Sequence, residues 1–307
     1  MKIVTRETVA GKLRWADIID ALYEGHQRPK AEIGDQLLSR GQDALLSRAA
    51  WIDGLGFAVK SVSVMANNAA AGLPTVQGGM LIFEDRTGAL EAVIDSDLVT
   101  EWKTAGDSAL GAKLLARPDS QTYLILGAGV VAESLAHAFM DTFPTLARIE
   151  IWNRTAGNAK SLAQKLAKDG LPASAVDDLP AACARAGIIS TATMAKAPIL
   201  LGEWVGEGTH IDLIGAFKKD MREADNGLLQ KGRVFVDSFE TTLDHIGELM
   251  VPLAEGAIER GDVLADLYGL VAGSFERTSG DEITIFKNGG GAHLDLMTAK
   301  RILQFAN

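Results

Sequence analysis

The feature that most constrains the fold of this 307-residue chain is a glycine motif that follows an apolar run. Residues 123–126 are Tyr-Leu-Ile-Leu, and the motif Gly127-x-Gly129-x-x-Ala132 leads into a helical pattern. Gly127 permits a tight turn, Gly129 lets the backbone approach a pyrophosphate, and Ala132 allows the helix to pack close to a sheet. The N–H groups and the dipole at a helix N-terminus favour negative charge. The motif therefore predicts a dinucleotide-binding strand–turn–helix unit.

The next predicted strand favours a cofactor with a 2′-phosphate. Residues 148–152 alternate as a short strand, which Asn153 and Arg154 follow. A cofactor without the 2′-phosphate usually meets an Asp or Glu here, bonded to the ribose 2′-OH. A neutral amide does not repel a 2′-phosphate, and a guanidinium pairs with it bidentately. We expect NADPH, with NADH as the alternative cofactor. The competing interpretation is that Arg154 is a solvated loop arginine.

Charge and cysteine content exclude several classes of protein. The net charge of −10 argues against nucleic acid and against an anionic membrane surface as partners. The single cysteine, Cys183, excludes an intrachain disulfide and is typical of a reducing, cytoplasmic location. No apolar run approaches the roughly 18 residues of a membrane span. The N-terminus lacks the apolar core of a signal peptide, and there is no zinc-type pairing of cysteine or histidine.

Strand–helix alternation begins after Pro118 and predicts a parallel, doubly wound sheet. The expected strands are 122–126, 148–152, 187–191, 209–214, 233–236 and 282–286, and residues 240–275 are expected to be mainly helical. Elsewhere we predict a helix at 14–25, strands within 43–64, a loop at 67–72, a hairpin of strands 77–83 and 89–94, a helix at 97–116, and a helix at 294–305 that packs back on the first part of the chain.

Nine blocks of residues resemble the ornithine cyclodeaminase/μ-crystallin family, and the match extends from about residue 28 to residue 298. The spacing of the blocks makes the resemblance specific. They are residues 59–62, 72–77, 103–105, 127–129, 190–193, 208–216, 222–225, 235–237 and 286–288.

The resemblance implies an α/β protein in which a Rossmann-type doubly wound sheet is inserted into a second α/β domain. We expect residues 1–117 plus 290–307 to form the substrate-binding and dimerisation domain, and residues 118–289 to form the dinucleotide-binding domain. A homodimer follows from the same resemblance. The family's activities include the deaminating cyclisation of ornithine, the reduction of cyclic ketimines and the oxidation of alanine. One branch is known as a lens crystallin and hormone binder.

The resemblance also assigns cations to a substrate carboxylate. Lys60 lies inside an apolar strand, where its stem could pack while the ammonium reaches water; the family match favours its pointing into the pocket and binding the carboxylate. Lys103 occupies a position where the family typically has arginine; a lysine still binds a carboxylate as a point charge, and its competing interpretation is a surface helix lysine. For a further arginine the candidates are Arg48 and, behind it, Arg28.

The remaining predicted site residues follow from the family blocks. Thr75 and Gln77 are expected to line the site near the nicotinamide and the substrate, or to be a satisfied polar pair in a strand. The residues expected to bind the cofactor are Gly127, Gly129, Val130, Val131, Asn153, Arg154, Thr191, Gly215 and Asn288. His293 lies in a Gly-rich turn and is expected to be structural.

One departure from the family pattern favours a particular activity. Cyclodeaminases have Gly-Asp after the Ile-Gly strand, whereas this chain has Gly215-Ala216-Phe217. Oxidation of an amine requires removal of an ammonium proton, and Phe217 cannot exchange one. Asp212 and Asp220 are the nearest carboxylates in sequence.

We therefore expect an NAD(P)H-dependent reductase of cyclic ketimines, most similar to the family's Δ1-pyrroline-2-carboxylate reductases, which make L-proline; Δ1-piperideine-2-carboxylate, giving L-pipecolate, is a natural second substrate. The alternatives are an ornithine cyclodeaminase and a non-enzymatic, NADPH-dependent binding protein of the crystallin type. The proton donor is left open between the iminium itself, water and Lys60.

Overall fold

The computed structural model describes residues 1–306, which divide into two compact units. Unit 1 contains Met1–Thr104 and the segment from Gly291 onward, and unit 2 contains Ala105–Gly290. The boundary lies inside a helix that continues to Leu115, whereas the sequence placed it at residue 117, where Pro118 ends the helical pattern. The assignment of substrate and dinucleotide roles to the two parts stays a prediction.

The strands and helices alternate through most of the chain. The strands are β1 (Lys2–Val4), β2 (Glu32–Arg40), β3 (Asp43–Ile52), β4 (Gly56–Val64), β5 (Val76–Phe83), β6 (Leu90–Asp95), β7 (Thr122–Leu126), β8 (Arg148–Trp152), β9 (Ala173–Ala175), β10 (Ile188–Thr191), β11 (His210–Leu213), β12 (Arg233–Val236), β13 (Val263–Ala265) and β14 (Thr284–Lys287). The α-helices are α1 (Arg6–Val9), α2 (Trp15–His26), α3 (Ser96–Leu115), α4 (Val130–Thr142), α5 (Ala156–Lys168), α6 (Leu179–Arg185), α7 (Asn226–Lys231), α8 (Phe239–Thr242), α9 (Gly247–Ala254), α10 (Leu267–Val271) and α11 (Ala292–Phe305). No described helix is both long enough and apolar enough to cross a membrane.

Unit 1 is built on a six-stranded sheet in the order β1-β6-β5-β4-β3-β2. Its pairs are antiparallel except for β1 with β6. Helix α11 packs against α2 and against β3 and β4, as the sequence predicted for the last helix. Because side chains alternate along a strand, one face of β3 and β4 meets these helices, and it carries Ile52, Ala58 and Lys60.

The other face of this sheet leaves aromatic and aliphatic side chains in contact with solvent. Trp51 stacks on Phe57 with ring centroids 4.5 Å apart, and Phe57 stacks on Phe83 at 5.0 Å. Trp51, Leu45 and Leu81 are exposed although they lie in the strands of a regular sheet. We refer to the surface formed by Leu45, Trp51, Phe57, Leu81 and Phe83 as the outer apolar face.

Unit 2 is built on an eight-stranded sheet in the order β13-β12-β14-β11-β10-β7-β8-β9, and all its pairs are parallel. Its central strands are buried along their whole length. Strand β7 is mostly apolar, whereas β10 and β11 also bury polar side chains, among them Ser190 and Asp212. The chain moves outward from β7 to β8 and β9, then returns to β10 on the other side of β7. The carboxyl ends of β7 and β10 therefore form the topological switch point at which such sheets bind ligands.

The predicted doubly wound α/β fold is confirmed, and the six expected parallel strands lie within two residues of their predicted positions. Four strands were missed. Strand β2 is exposed along most of its length and so lacks alternation, and β1, β9 and β13 have only three residues each. Strand β13 interrupts the segment 240–275 that was expected to be mainly helical. The predicted loop 67–72 contains a 3₁₀ turn at Asn68–Ala71, which Gly72 ends in the left-handed conformation.

Candidate active site

The glycine motif of unit 2 has the backbone that a strand–turn–helix unit requires. Gly127 follows β7 with φ of +128°, a conformation that L side chains rarely adopt. A Cβ atom there would lie 2.4 Å from the carbonyl oxygen of Ala192. The N–H of Gly127 donates to the carbonyl oxygen of Trp152 over 2.9 Å, which fixes the turn against the end of β8.

Gly129 has a different role, because open space lies where its side chain would be. It precedes α4 as the N-cap residue, and no side chain among residues 1–306 caps this helix start. Val130 and Val131 are exposed, while Ala132 is fully buried. The first N–H groups of α4 are therefore accessible to a ligand, and helix starts of this kind favour phosphate.

A cavity of about 420 Å³ lies at this edge of the sheet, lined by the loops that follow β7, β8 and β10. Its walls are Gly127, Ala128, Gly129, Trp152, Asn153, Arg154, Thr155, Asn158, Ala192, Thr193, Met194, Ala195 and Ile199. Asn153 Nδ2 donates to the carbonyl oxygen of Thr155 over 3.0 Å. Arg154 is exposed, and within the described chain its guanidinium forms no ion pair. The open glycine, the uncapped helix start and this cation fit a dinucleotide phosphate.

Thr191, Gly215 and Asn288 lie at the carboxyl ends of neighbouring strands, as predicted. The contacts that the structure shows for them are with other residues of the protein. The hydroxyl of the buried Thr191 donates to Glu223 Oε2 over 2.7 Å. A Cβ atom on Gly215 would lie 2.3 Å from the carbonyl oxygen of Thr193, so the local packing already requires glycine. Asn288 is buried, and its N–H donates to the carbonyl oxygen of Leu213 over 3.2 Å.

Unit 1 brings together the two predicted lysines around a carboxylate. Lys60 Nζ of β4 lies 3.1 Å from Asp295 Oδ1, and Lys103 Nζ of α3 lies 3.0 Å from the same oxygen. Lys60 Nζ also donates to the Thr100 hydroxyl over 2.5 Å. All three charged side chains are buried. The surface interpretation of Lys103 is therefore wrong, and so is the interpretation in which the Lys60 ammonium reaches water.

Burial and charge compete in this cluster. Burial, aided by the charges of Lys60 and Arg48, lowers the pKa of Lys103 to about 8 against the opposing effect of Asp295. Burial alone would raise the pKa of Asp295, but the charges of Lys103 and Lys60 reverse the effect and lower it. Asp295 is thus an anion that holds two buried cations in place.

Arg48 lies beside this cluster. It pairs directly across the strands with Lys60, and its Nη2 lies 2.8 Å from Asp35 Oδ2. Arg28, the second candidate, is exposed and donates to the carbonyl oxygen of Gly54 over 3.0 Å. Of the two arginines, Arg48 is the neighbour of Lys60.

Thr75 and Gln77 are not brought to the lysines in unit 1. Both side chains are exposed, and Gln77 pairs across the strands with Ser63, whose side chain lies on the opposite face of the sheet from Lys60. Gln77 Nε2 lies 3.4 Å from the carbonyl oxygen of Pro74. Their roles near a nicotinamide and a substrate stay predictions.

Two buried carboxylates were missed by the sequence analysis. Asp295 lies on the buried face of α11, and its partners lie far away in sequence, so no local pattern identifies them. Glu223 was quoted within a family block but given no role, although it is fully buried and bonded to Thr191. For Asp295 the available signal was a charged residue in an otherwise apolar segment, since such a residue is rarely buried without a partner. Glu223 lies beside Arg222 and close to Asp225, so its segment gave no such signal.

The segment Gly215-Ala216-Phe217, which departs from the cyclodeaminase pattern, has no carboxylate side chain where that pattern has aspartate. Phe217 is about half exposed, with Lys218 Nζ 5.2 Å from its ring centroid. Asp212 is fully buried in β11, where it accepts a hydrogen bond from Ser190, and burial raises its pKa to about 6. Asp220 is exposed and paired with Lys196. Both carboxylates have other partners. His293 is buried edge-on against His26, which agrees with a structural role.

Comparison with known proteins gives one consistent result. Residues 51–306 match the model of the ornithine cyclodeaminase/mu-crystallin family. The chain is 55% identical to a Δ1-pyrroline-2-carboxylate reductase of Paracoccus denitrificans over 95% of this chain and 93% of that protein. It superposes with a TM-score of 0.92 at 29% identity on the same enzyme of Thermococcus litoralis in complex with NADH and L-proline, over 100% and 97% of the two chains. An archaeal alanine dehydrogenase dimer with bound NAD gives a TM-score of 0.91 at 29% identity, over 100% and 96%.

We predict that Asp295→Asn destabilises unit 1 by about 3–5 kcal/mol at pH 7, because two buried ammonium groups then lack their anion. The loss should shrink as pH rises toward 10. A lysine whose pKa is lowered by folding binds fewer protons than in the unfolded chain, so stability increases with pH between the folded and the unfolded pKa. Urea unfolding at pH 7 and at pH 10 measures both effects.

The matched control is Asp35→Asn, which removes the half-exposed partner of Arg48 and should cost less than about 1 kcal/mol. Equal losses for the two variants, or a loss at Asp295 that grows with pH, would contradict this account.

Proposed function

The chain belongs to the ornithine cyclodeaminase/mu-crystallin family, and we propose that it uses a nicotinamide dinucleotide to reduce the C=N bond of Δ1-pyrroline-2-carboxylate, which gives L-proline. The observation that carries the proposal is the 55% identity to the Paracoccus reductase over nearly the whole of both chains. The similar TM-scores to a reductase and to an alanine dehydrogenase do not separate these activities, whereas the sequence identity favours the reductase.

The charges of unit 1 suit a small substrate with one carboxylate. Lys60 and Lys103 carry two positive charges against the one negative charge of Asp295, and Arg48 is balanced by Asp35. Two ammonium groups therefore share one carboxylate in a buried place, where their attraction for a further carboxylate is poorly screened. We assign Lys60 and Lys103 to the substrate carboxylate, with Arg48 as the neighbouring cation.

Lys103 is also suited to proton transfer. Reduction of an imine requires a hydride on carbon and a proton on nitrogen. The pKa of Lys103, lowered to about 8 by burial, lies close to neutral pH, where a group can both hold and release a proton. We therefore add the Lys103 ammonium to the proton donors that the sequence left open.

Unit 2 has the residues to hold the dinucleotide. Gly129 and the first N–H groups of α4 would bind the pyrophosphate, and Asn153 with Arg154 would bind the ribose end. The dinucleotide, when bound, supplies the hydride for reduction of the C=N carbon.

The absence of a carboxylate at Phe217 favours reduction over deamination. A cyclodeaminase must first take a proton from the ammonium of ornithine, and the nearest carboxylates in sequence, Asp212 and Asp220, have other partners. An imine needs no such base.

The purified protein should oxidise NADPH, followed at 340 nm, when Δ1-pyrroline-2-carboxylate is added, and should form L-proline in equal amount. It should release no ammonia from L-ornithine and should reduce NAD+ poorly with L-alanine, because both reactions begin with deprotonation of an amine. Ammonia from ornithine without imine turnover would make the chain a cyclodeaminase. Binding of NADPH without turnover of any of the three substrates would favour the crystallin-type binding protein.

We propose NADPH as the preferred cofactor, because Arg154 lies at the wall of the cavity without an ion pair to any of residues 1–306 and Asn153 carries no negative charge. Arg154→Ala should lower kcat/KM for NADPH about 10–100-fold, the value of one or two charge-assisted hydrogen bonds, and leave that for NADH nearly unchanged. Arg148→Ala, at the other end of β8, removes the same charge and serves as the control. An equal loss for both cofactors would assign Arg154 to something other than the 2′-phosphate.

We propose that a second copy of the chain covers the outer apolar face. This surface is too apolar for a regular sheet in water, and its stacked rings Trp51 and Phe57 resemble an interface core. Leu81→Glu should convert a dimer into a monomer in sedimentation velocity. Leu264→Glu, which charges an exposed leucine of β13 in unit 2, should remain a dimer. A wild-type chain that sediments as a monomer at micromolar concentration would reject the proposal.

A further inference from the structure

Glu223 of unit 2 is a fully buried carboxylate that accepts five hydrogen bonds from two segments of the chain. From the end of β10 it accepts the hydroxyl of Thr191, and from the loop that follows it accepts both the N–H and the hydroxyl of Thr193, at 2.6–2.8 Å. From the loop after β11 it accepts the N–H groups of Gly215 at 2.7 Å and Ala216 at 3.2 Å. A carboxylate is suited to this position because it only accepts, at both oxygens.

The glutamate is itself held in place. The N–H groups of Glu223 and Ala224 donate to the carboxylate of the buried Glu248 over 2.8 and 2.9 Å. On the loop after β11, Lys287 Nζ donates to the carbonyl oxygens of Leu213 and Ala216, both at 2.8 Å. The loop after β11 is thus fixed by an anion at its N–H groups and by a cation at its carbonyl groups.

One of the two loops forms a wall of the dinucleotide cavity. Residues 192–195 line that cavity, and Thr193 is bonded to Glu223 through both backbone and side chain. Glu223 itself does not line the cavity. Its influence on a ligand there would therefore be indirect, through the position of residues 192–195.

We propose that Glu223 is a positioning residue for the dinucleotide, which acts by fixing the loops after β10 and β11 in the conformation that binds it. The inference rests on the proposed function for the identity of the ligand. It also reassigns Thr191: the hydroxyl expected to contact the cofactor acts through Glu223. If Thr191 contacted the dinucleotide directly, the losses of affinity caused by substituting Thr191 and Glu223 would add. If Thr191 acts through Glu223, they would not.

The test is a double-mutant cycle on NADPH affinity, measured by calorimetry for the wild type, Glu223→Gln, Thr191→Val and the double variant. Glu223→Gln puts an amide donor against the loop donors and should raise Kd about tenfold or more, whereas Thr191→Val should raise it about threefold. The double variant should bind like Glu223→Gln alone, because the Thr191 hydroxyl has no further partner to lose. Additive losses would place that hydroxyl on the ligand and overturn the reassignment.

Glu150→Gln is the matched control, since Glu150 is a buried glutamate of β8 whose partner is Arg185. It should lower the melting temperature and leave Kd unchanged. If Glu150→Gln weakened NADPH binding as much as Glu223→Gln, general destabilisation would explain both effects and the proposal would fail.

Amide hydrogen exchange in the ligand-free protein gives a second readout that needs neither a bound dinucleotide nor a folded Glu223 variant. Thr191→Val should speed exchange at Thr193 and Gly215, and Thr191→Ser, which keeps the hydroxyl, should restore the wild-type rates. Unchanged exchange rates in Thr191→Val would overturn the proposal that Glu223 fixes the loops after β10 and β11. A wild type that binds neither NADPH nor NADH would instead reject the proposed function, and the exchange result would still decide whether Glu223 fixes these loops.

Discussion

The carboxylate of Asp295 joins three segments of unit 1 that are far apart in sequence. Lys60 comes from β4, Lys103 from α3 and Asp295 from α11, and both lysines meet the same oxygen at about 3 Å. Burying an isolated ammonium group is costly, and burying two side by side costs more. The shared anion makes the arrangement tolerable. In the function proposed above, the same two cations of a strongly acidic chain bind the substrate carboxylate.

In unit 2, buried charged side chains form hydrogen bonds with backbone groups of the loops that follow the parallel strands. The carboxyl ends of parallel strands leave loops whose N–H and carbonyl groups have no partner in the sheet. Here the loops after β10 and β11 are satisfied by buried charges, with Glu223 accepting from N–H groups and Lys287 donating to carbonyl groups. Charged side chains in this core thus replace the hydrogen bonds that a strand would have made, and they hold an irregular backbone in one conformation.

Much of the fold could be predicted because its signals are local. The apolar runs of the parallel strands end at glycine or polar residues, and Gly127-x-Gly129 specifies its turn through backbone conformation alone. Strand β2 could not be predicted, since an exposed strand has no apolar face and its pairing with β3 is what forms it. Lys60 was found because it is a cation in an apolar strand that also falls within a block resembling the family. Asp295 and Glu223 were not, because their roles depend on partners that only tertiary structure supplies.

The origin of Asp295 in α11 has a consequence for the order of events during synthesis. Unit 2 is one continuous segment and has all its strands once residue 290 has been added. Unit 1 has its sheet strands by residue 95, yet it lacks both the helix that covers its inner face and the anion between its lysines until residues 292–305 exist. The part of unit 1 that is made first therefore cannot complete its packing until the last helix is added, although the whole of unit 2 lies between them in sequence. The usual expectation that an N-terminal domain folds before the rest of the chain is made does not fit a unit built from both ends of the sequence.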